Sequence, residues 1–156
     1  MRRFAFLSFG ALVVGCAKSE QGAATDTVSA AGATMTAPAP LSLADVAGKW
    51  NMRGMPETSD STIAAFELNA TGDTAGWTMT FPNRKPIPVR VVAVAGDSVV
   101  TEAGPYESVL RKGVQVTTRS VTRLQGGKLI GATVARYKTS RPDSVLRVRT
   151  EGTRIP

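Results

Sequence analysis

The chain has no histidine and one cysteine, Cys16, in 156 residues. Without histidine there is no Ser-His-Asp or Cys-His catalysis, no histidine-ligated zinc or copper, and no histidine haem ligand. A lone cysteine makes no intramolecular disulfide. Aromatics are few: five Phe, two Trp and two Tyr, with Phe4, Phe6 and Phe9 all near the N-terminus. No glycine-rich phosphate loop stands between a strand and a helix. The turns "GDT" (72–74) and "GDS" (96–98) offer one carboxylate each, and a calcium loop needs several more oxygens. The remaining catalytic option is a carboxylate pair. Glu102 and Glu107 flank Gly104-Pro105, and Glu67 lies mid-strand. A glycosidase needs two carboxyls about 5–10 Å apart across a cleft. Acids at this density give such pairs by chance, so the chain reads as non-enzymatic, with no cofactor and no metal.

The chain opens "MRRFAFLSFGALVVGCAKSEQG". Arg2 and Arg3 precede an apolar stretch, Phe4 to Val14, broken by Ser8 and Gly10. At about 1.5 Å rise per residue, such a helix covers roughly half a bilayer core. A basic start, a short apolar core and small residues make a secretory signal. The segment ends Val13-Val14-Gly15-Cys16. That ending resembles the lipobox of bacterial lipoproteins. The resemblance implies a diacylglycerol thioether on Cys16, cleavage before it, and acylation of the new amino group. Several buried acyl chains at ~0.8 kcal/mol per methylene hold where one does not. Ala17 in place of Asp implies, within that family, sorting to the outer membrane facing the periplasm. The expected organisation is a signal peptide (1–15), a lipidated cysteine with a linker (16–41) and one domain (42–156).

Residues 17–41, "AKSEQGAATDTVSAAGATMTAPAPL", are dominated by Ala, Thr, Ser, Gly and Pro, without aromatics or apolar periodicity. Such a segment buries too little surface to offset its ordering entropy and is expected to be a disordered tether. A flexible chain of this length holds a domain about 25–30 Å from the lipid.

From residue 42 onward the text is rich in Val and Thr, and short alternating runs are separated by turn residues. The runs are 49–55, 62–70, 76–81, 87–95, 98–103, 106–110, 114–124, 128–139 and 144–152. Tight connections join antiparallel neighbours, because a parallel crossover needs a dozen or more residues. The expected fold is therefore all-β: an antiparallel up-and-down barrel of eight or nine strands, closed because closure removes exposed edges. An open two-layer sandwich is the alternative. Alternation assigns Trp50 and Met52 to one face, then Phe66 and Leu68, then Trp77, Met79 and Phe81. Val89, Val91 and Ala93 oppose Arg90, and Leu146 and Val148 oppose Arg147 and Arg149.

Gly48-Lys49-Trp50 at the start of the first strand, with an arginine late in the last, resembles the lipocalin signature. The resemblance implies that Trp50 plugs one end of an eight-stranded barrel with an arginine packed across it; Arg147, Arg149 and Arg154 are the candidates. The sequence departs from the family in lacking its Thr-Asp-x-x-Tyr segment and a cysteine pair. Small-ligand binding comes with the resemblance, and the expected pocket residues are Trp50, Phe66, Trp77, Phe81 and Tyr106. The stretch "EAGPYES" (102–108) is read either as a loop at the mouth of such a site or as a bent strand at Pro105.

Charge is uneven. Residues 42–110 carry 5 basic and 8 acidic side chains; residues 111–156 carry 11 and 2. Arg119 and Arg123, Arg136 and Lys138, and Arg147 and Arg149 are spaced to share strand faces. If the last three strands are neighbours they form a basic face, suited to anionic lipid or another acidic envelope component. No exposed aromatics interleave with these cations, so nucleic acid is not the expected partner. Two functions follow: a lipid-anchored barrel that binds a small apolar or amphipathic molecule, or a solid barrel acting through its basic face.

Overall fold

A computed structural model describes residues 40–156. The expected signal segment, the expected lipidation site Cys16, and the expected linker up to residue 39 lie outside the described residues. Eight strands follow a short helix, α1 (Leu43–Val46): β1 (Gly48–Pro56), β2 (Ala64–Ala70), β3 (Thr78–Thr80), β4 (Ile87–Ala95), β5 (Ser98–Glu107), β6 (Gln115–Gln125), β7 (Lys128–Tyr137) and β8 (Val145–Arg154). Each strand pairs antiparallel with the next, and β1 pairs with β8, closing the barrel. The sheet is thus a closed up-and-down barrel and not a sandwich.

Eight strands result instead of nine because the break at Gly104-Pro105 is absorbed as a bulge. The β5–β6 register shifts between Ala103 and Tyr106 while the strand continues to Glu107. Gly104 has φ +110°, and a Cβ there would lie 2.6 Å from the Val116 carbonyl oxygen, so only glycine lets the two strands stay together. A second shift, between Val91 and Ala93 in β4, corrects the expected fourth-strand stripe: Val89 is buried, whereas Ala93 is exposed. Elsewhere the alternation holds. Trp50, Met52, Leu68, Trp77, Met79, Phe81 and Val89 belong to one buried cluster, with Phe66 packed against it.

The strands run between two unlike ends. At one end the connections Gly96-Asp97 and Gly126-Gly127 are two-residue turns, the third connection is the 71–77 loop, and α1 lies across the opening. α1 starts with a capping box: the Ser42 side chain accepts from Ala44 N–H, and Asp45 Oδ2 accepts from Ser42 N–H. Leu41, expected as the last linker residue, donates its N–H to the Gly96 carbonyl at 2.8 Å and packs on the core. At the other end lie the loops 57–63, 81–86, 108–114 and 138–144.

Candidate functional site

The α1 end is sealed by Trp50, which is 0 % exposed. Its Nε1–H donates to the Val46 carbonyl at 2.8 Å. Of the three candidate arginines, Arg154 is the one that crosses it. The guanidinium carbon lies 4.3 Å from the Trp50 ring centroid, and the head donates to the carbonyls of Ala47 and Asp45. Gly48 makes room for this arrangement. It has φ +127°, and a Cβ on it would sit 2.6 Å from Arg154 Nη1. Trp77 is also buried, its Nε1–H donating to the Asp73 carbonyl at 2.8 Å.

Towards the opposite end the interior is not full. A cavity of about 100 Å³ lies inside the barrel and opens between the long loops. Its two walls differ. Met52, Phe66, Leu68, Met79, Phe81 and Val89, from β1 to β4 and the start of the β3–β4 loop, make an apolar wall. Thr101, Thr118, Ser120, Thr122, Thr133 and Thr150, from β5 to β8, make a wall of hydroxyls set among Ala, Val, Leu and Tyr side chains. No charged side chain lines either wall.

Register explains both the hydroxyl wall and the space in front of it. Thr122 faces Gly131, Gly131 faces Thr150, and Thr150 faces Gly54, so two glycines flank Thr150 on one level of the barrel. The inward glycines serve different ends. A Cβ on Gly131 would run into the Val121 carbonyl, and one on Gly152 into the Met52 sulfur; both are close-approach sites. A Cβ on Gly54 would make only ordinary contacts, 3.7 Å from Ala64 Cβ and 3.9 Å from Val148 Cγ2. Gly54 therefore leaves part of the cavity unfilled.

The mouth is built from apolar side chains held by polar staples. Phe66 and Phe81 rings lie 5.3 Å apart, and Phe81 and Tyr106 rings 5.9 Å apart. Burial pushes the Tyr106 phenol above its ordinary pKa, opposed by its hydrogen bond with the Thr118 side chain. Ser108 Oγ accepts from Leu110 and Arg111 N–H at 3.0 and 3.1 Å, which folds the 108–114 loop back. Val109 and Leu110, on that loop, line the cavity while remaining exposed. Arg84 donates to the Glu107 and Ser108 carbonyls, tying the 81–86 loop to this one. Arg111 lies 4.0 Å over the Tyr137 ring and pairs with Asp143 at 2.9 Å.

Of the five expected pocket residues, Phe66, Phe81 and Tyr106 come together on the cavity. Trp50 and Trp77 are not among its lining; both are buried with their indole N–H groups bonded to nearby carbonyls, and Trp50 seals the α1 end. The hydroxyl wall and Gly54 were missed. The signal was present in "VQVTTRSVTRL" (114–124), where alternation places Val116, Thr118, Ser120 and Thr122 on one face. Glu102 and Glu107 do not line the cavity. Glu102 sits outside, where Arg119 and Arg90 hold its carboxyl below the usual range. Glu107 Oε1 accepts from Gly113 N–H at 3.0 Å.

The expected basic face lies on the adjacent strands β6, β7 and β8 and the residue after β7. Arg119 and Arg147 flank Val134 in register, and Arg136 lies between Thr117 and Val145. Arg119 is paired with Glu102 at 2.6 Å and Arg149 with Asp60 at 2.7 Å. Arg123, Arg136, Lys138 and Arg147 form no ion pair among the described residues. Comparison of the chain with known protein families, curated proteins and solved structures finds no match.

Proposed function

We propose that this protein is a lipid-anchored, lipocalin-like carrier or sensor of the bacterial envelope, held through Cys16, that binds a small molecule inside its barrel. The observation that carries the binding half is the cavity itself: mostly apolar, uncharged, open at one end and sealed at the other. Eight strands enclose an interior just wide enough for packed side chains or one small ligand. At about 100 Å³ the space approaches the engineered cavity of about 150 Å³ that takes benzene. It is well below the roughly 300–1,000 Å³ of drug-sized sites. The ligand is accordingly a single ring or a short chain. The Trp50–Arg154 seal supports the lipocalin-like reading, and the lipobox supports the anchor.

The test is an NMR titration of the full-length Cys16→Ser protein with ethylbenzene. Methyl and ring resonances of Phe66, Phe81, Leu68 and Val148 are expected to shift saturably. Gly54→Val, which places a side chain in the cavity, is expected to abolish the shifts while the barrel stays folded. No saturable shift in the unplugged protein, or equal binding by Gly54→Val, defeats the reading. Metabolic labelling with a palmitate analogue, lost in Cys16→Ser, tests the anchor separately.

A second reading is favoured by one observation: Arg123, Arg136 and Arg147, which form no ion pair among the described residues, are interleaved with exposed Val121 and Val145. Such a face suits an anionic bilayer surface, at about 1 kcal/mol per cation near the lipid. Arg136→Glu/Arg147→Glu is expected to lower salt-sensitive binding to phosphatidylglycerol vesicles. Unchanged binding excludes this face.

A further inference from the structure

Thr150 is 4 % exposed, lines the cavity, and its hydroxyl is buried without a hydrogen-bond partner among the described residues. A buried polar group in this condition is uncommon, because it has given up water and gained nothing in return. Its neighbours across both strand ladders are Gly54 and Gly131, so no side chain on either flank reaches it. By contrast, Ser120 and Thr133, on the same wall, satisfy one another at 2.7 Å.

From these observations, and resting on the reading that the cavity takes a small ligand, we propose that the ligand is a neutral molecule with an apolar body and one hydrogen-bonding group, which it inserts inward to meet the Thr150 hydroxyl. Neutrality follows from the lining. An ion carried to the level of Thr150 would find no opposite charge, and an unpaired buried charge is far costlier than an unpaired hydroxyl. No cation lines the cavity: Arg84 and Arg111 at the mouth are engaged, Arg84 with the Glu107 and Ser108 carbonyls and Arg111 with Asp143 and the Tyr137 ring, and Lys85, Lys112, Lys138 and Arg141 on the open-end loops are not among its lining residues. The body of the ligand faces the Phe66–Phe81 side, where there is no polar atom to satisfy. The chemical class is thus a small alcohol, phenol, ketone or lactone, in preference to a hydrocarbon or a fatty acid anion.

The experiment compares ligands of near-equal shape on the full-length Cys16→Ser protein. Benzyl alcohol, ethylbenzene and benzoate are titrated by NMR into that protein and into its Thr150→Val and Thr150→Ser derivatives. Thr150→Val is expected to weaken benzyl alcohol about fivefold to tenfold relative to ethylbenzene, the scale of one hydrogen bond. Thr150→Ser, which keeps the hydroxyl, is expected to retain the preference, and benzoate is expected to bind weakest. The unliganded Thr150→Val protein is expected to have a raised Tm, since it sheds an unpaired polar atom. An alcohol-to-hydrocarbon ratio unchanged by Thr150→Val overturns the proposal while leaving the cavity reading intact. Benzoate binding more tightly than benzyl alcohol does the same. A lowered Tm in Thr150→Val, the mark of a hydroxyl satisfied by buried water, also counts against it. Failure of both benzyl alcohol and ethylbenzene to bind removes the cavity reading on which it stands.

Discussion

The two ends of this barrel use the same eight strands and resolve the same problem in opposite ways. At the α1 end two turns need only two residues each, and a tryptophan, an arginine and a four-residue helix interlock until nothing enters. At the far end no connection is a two-residue turn, apolar side chains stand partly in water, and the interior is left unfilled. Packing at the sealed end gives stability. Incomplete packing at the open end gives up some of that stability and leaves the space in which we propose a ligand. A barrel can therefore leave one end loosely packed as long as its other end is closed by contacts of its own.

The largest expected effect comes from breaking the seal. Trp50→Ala removes a fully buried indole, its hydrogen bond to Val46 and the platform under Arg154. Equilibrium urea unfolding is expected to show a loss of about 3–5 kcal/mol. A loss under 1 kcal/mol would mean that the two ends do not divide the work as described.

The inward glycines sharpen the contrast from within the wall. Gly131→Ala forces a Cβ into the Val121 carbonyl and is expected to cost about 1–3 kcal/mol. Gly54→Ala meets only ordinary contacts and replaces a flexible strand residue, so it is expected to stabilise by about 0.5–1 kcal/mol. The same unfolding assay measures both, and the opposite signs are the point. Equal signs would mean that the space beside Gly54 does not exist in solution.

The fold was legible in the sequence because alternation and tight turns both have a period that antiparallel strands require. Trp50-Met52 and Trp77-Met79-Phe81 could be placed on one face from spacing alone. What was not legible was register. Whether Thr150 stands beside a bulky residue or between Gly54 and Gly131 depends on how its strand registers with both neighbours, one of them at the far end of the domain sequence. The bulge between Val91 and Ala93 breaks the two-residue period with no glycine or proline inside it, so the exposure of Ala93 was hidden. Trp50 and Trp77 were expected in the pocket because aromatics attract that assignment; hydroxyls on a strand face do not, although six Thr and Ser side chains of β5 to β8 line the cavity.

A smaller effect on stability is expected at the mouth. Leu110 is 42 % exposed, so Leu110→Ser should change unfolding free energy by no more than about 0.5 kcal/mol. Its effect belongs to binding: ethylbenzene affinity should fall several-fold because Leu110 covers the entrance. A large stability loss with unchanged affinity would assign Leu110 to the structural end of the comparison.

The smallest effect concerns charge on the outer seam near the seal. Glu151 accepts from Lys128 at 2.8 Å and Arg53 at 2.5 Å, joining β7, β8 and β1 where the barrel closes. The Lys128 hydrogen bond first, and then Arg53, lower its pKa to about 2 from the ordinary 4.5. A carboxylate whose pKa is lower folded than unfolded adds stability above the unfolded value and loses it as pH falls through the folded one. The difference in stability between the native chain and Glu151→Gln should therefore be constant above about pH 5 and shrink steadily between pH 4.5 and 2. Salt should reduce it throughout, because the group faces solvent. If the two proteins kept a constant gap down to pH 2, the stabilisation would come from the shape of the Glu151 side chain against its neighbours, and the seam at the sealed end would be held by packing alone.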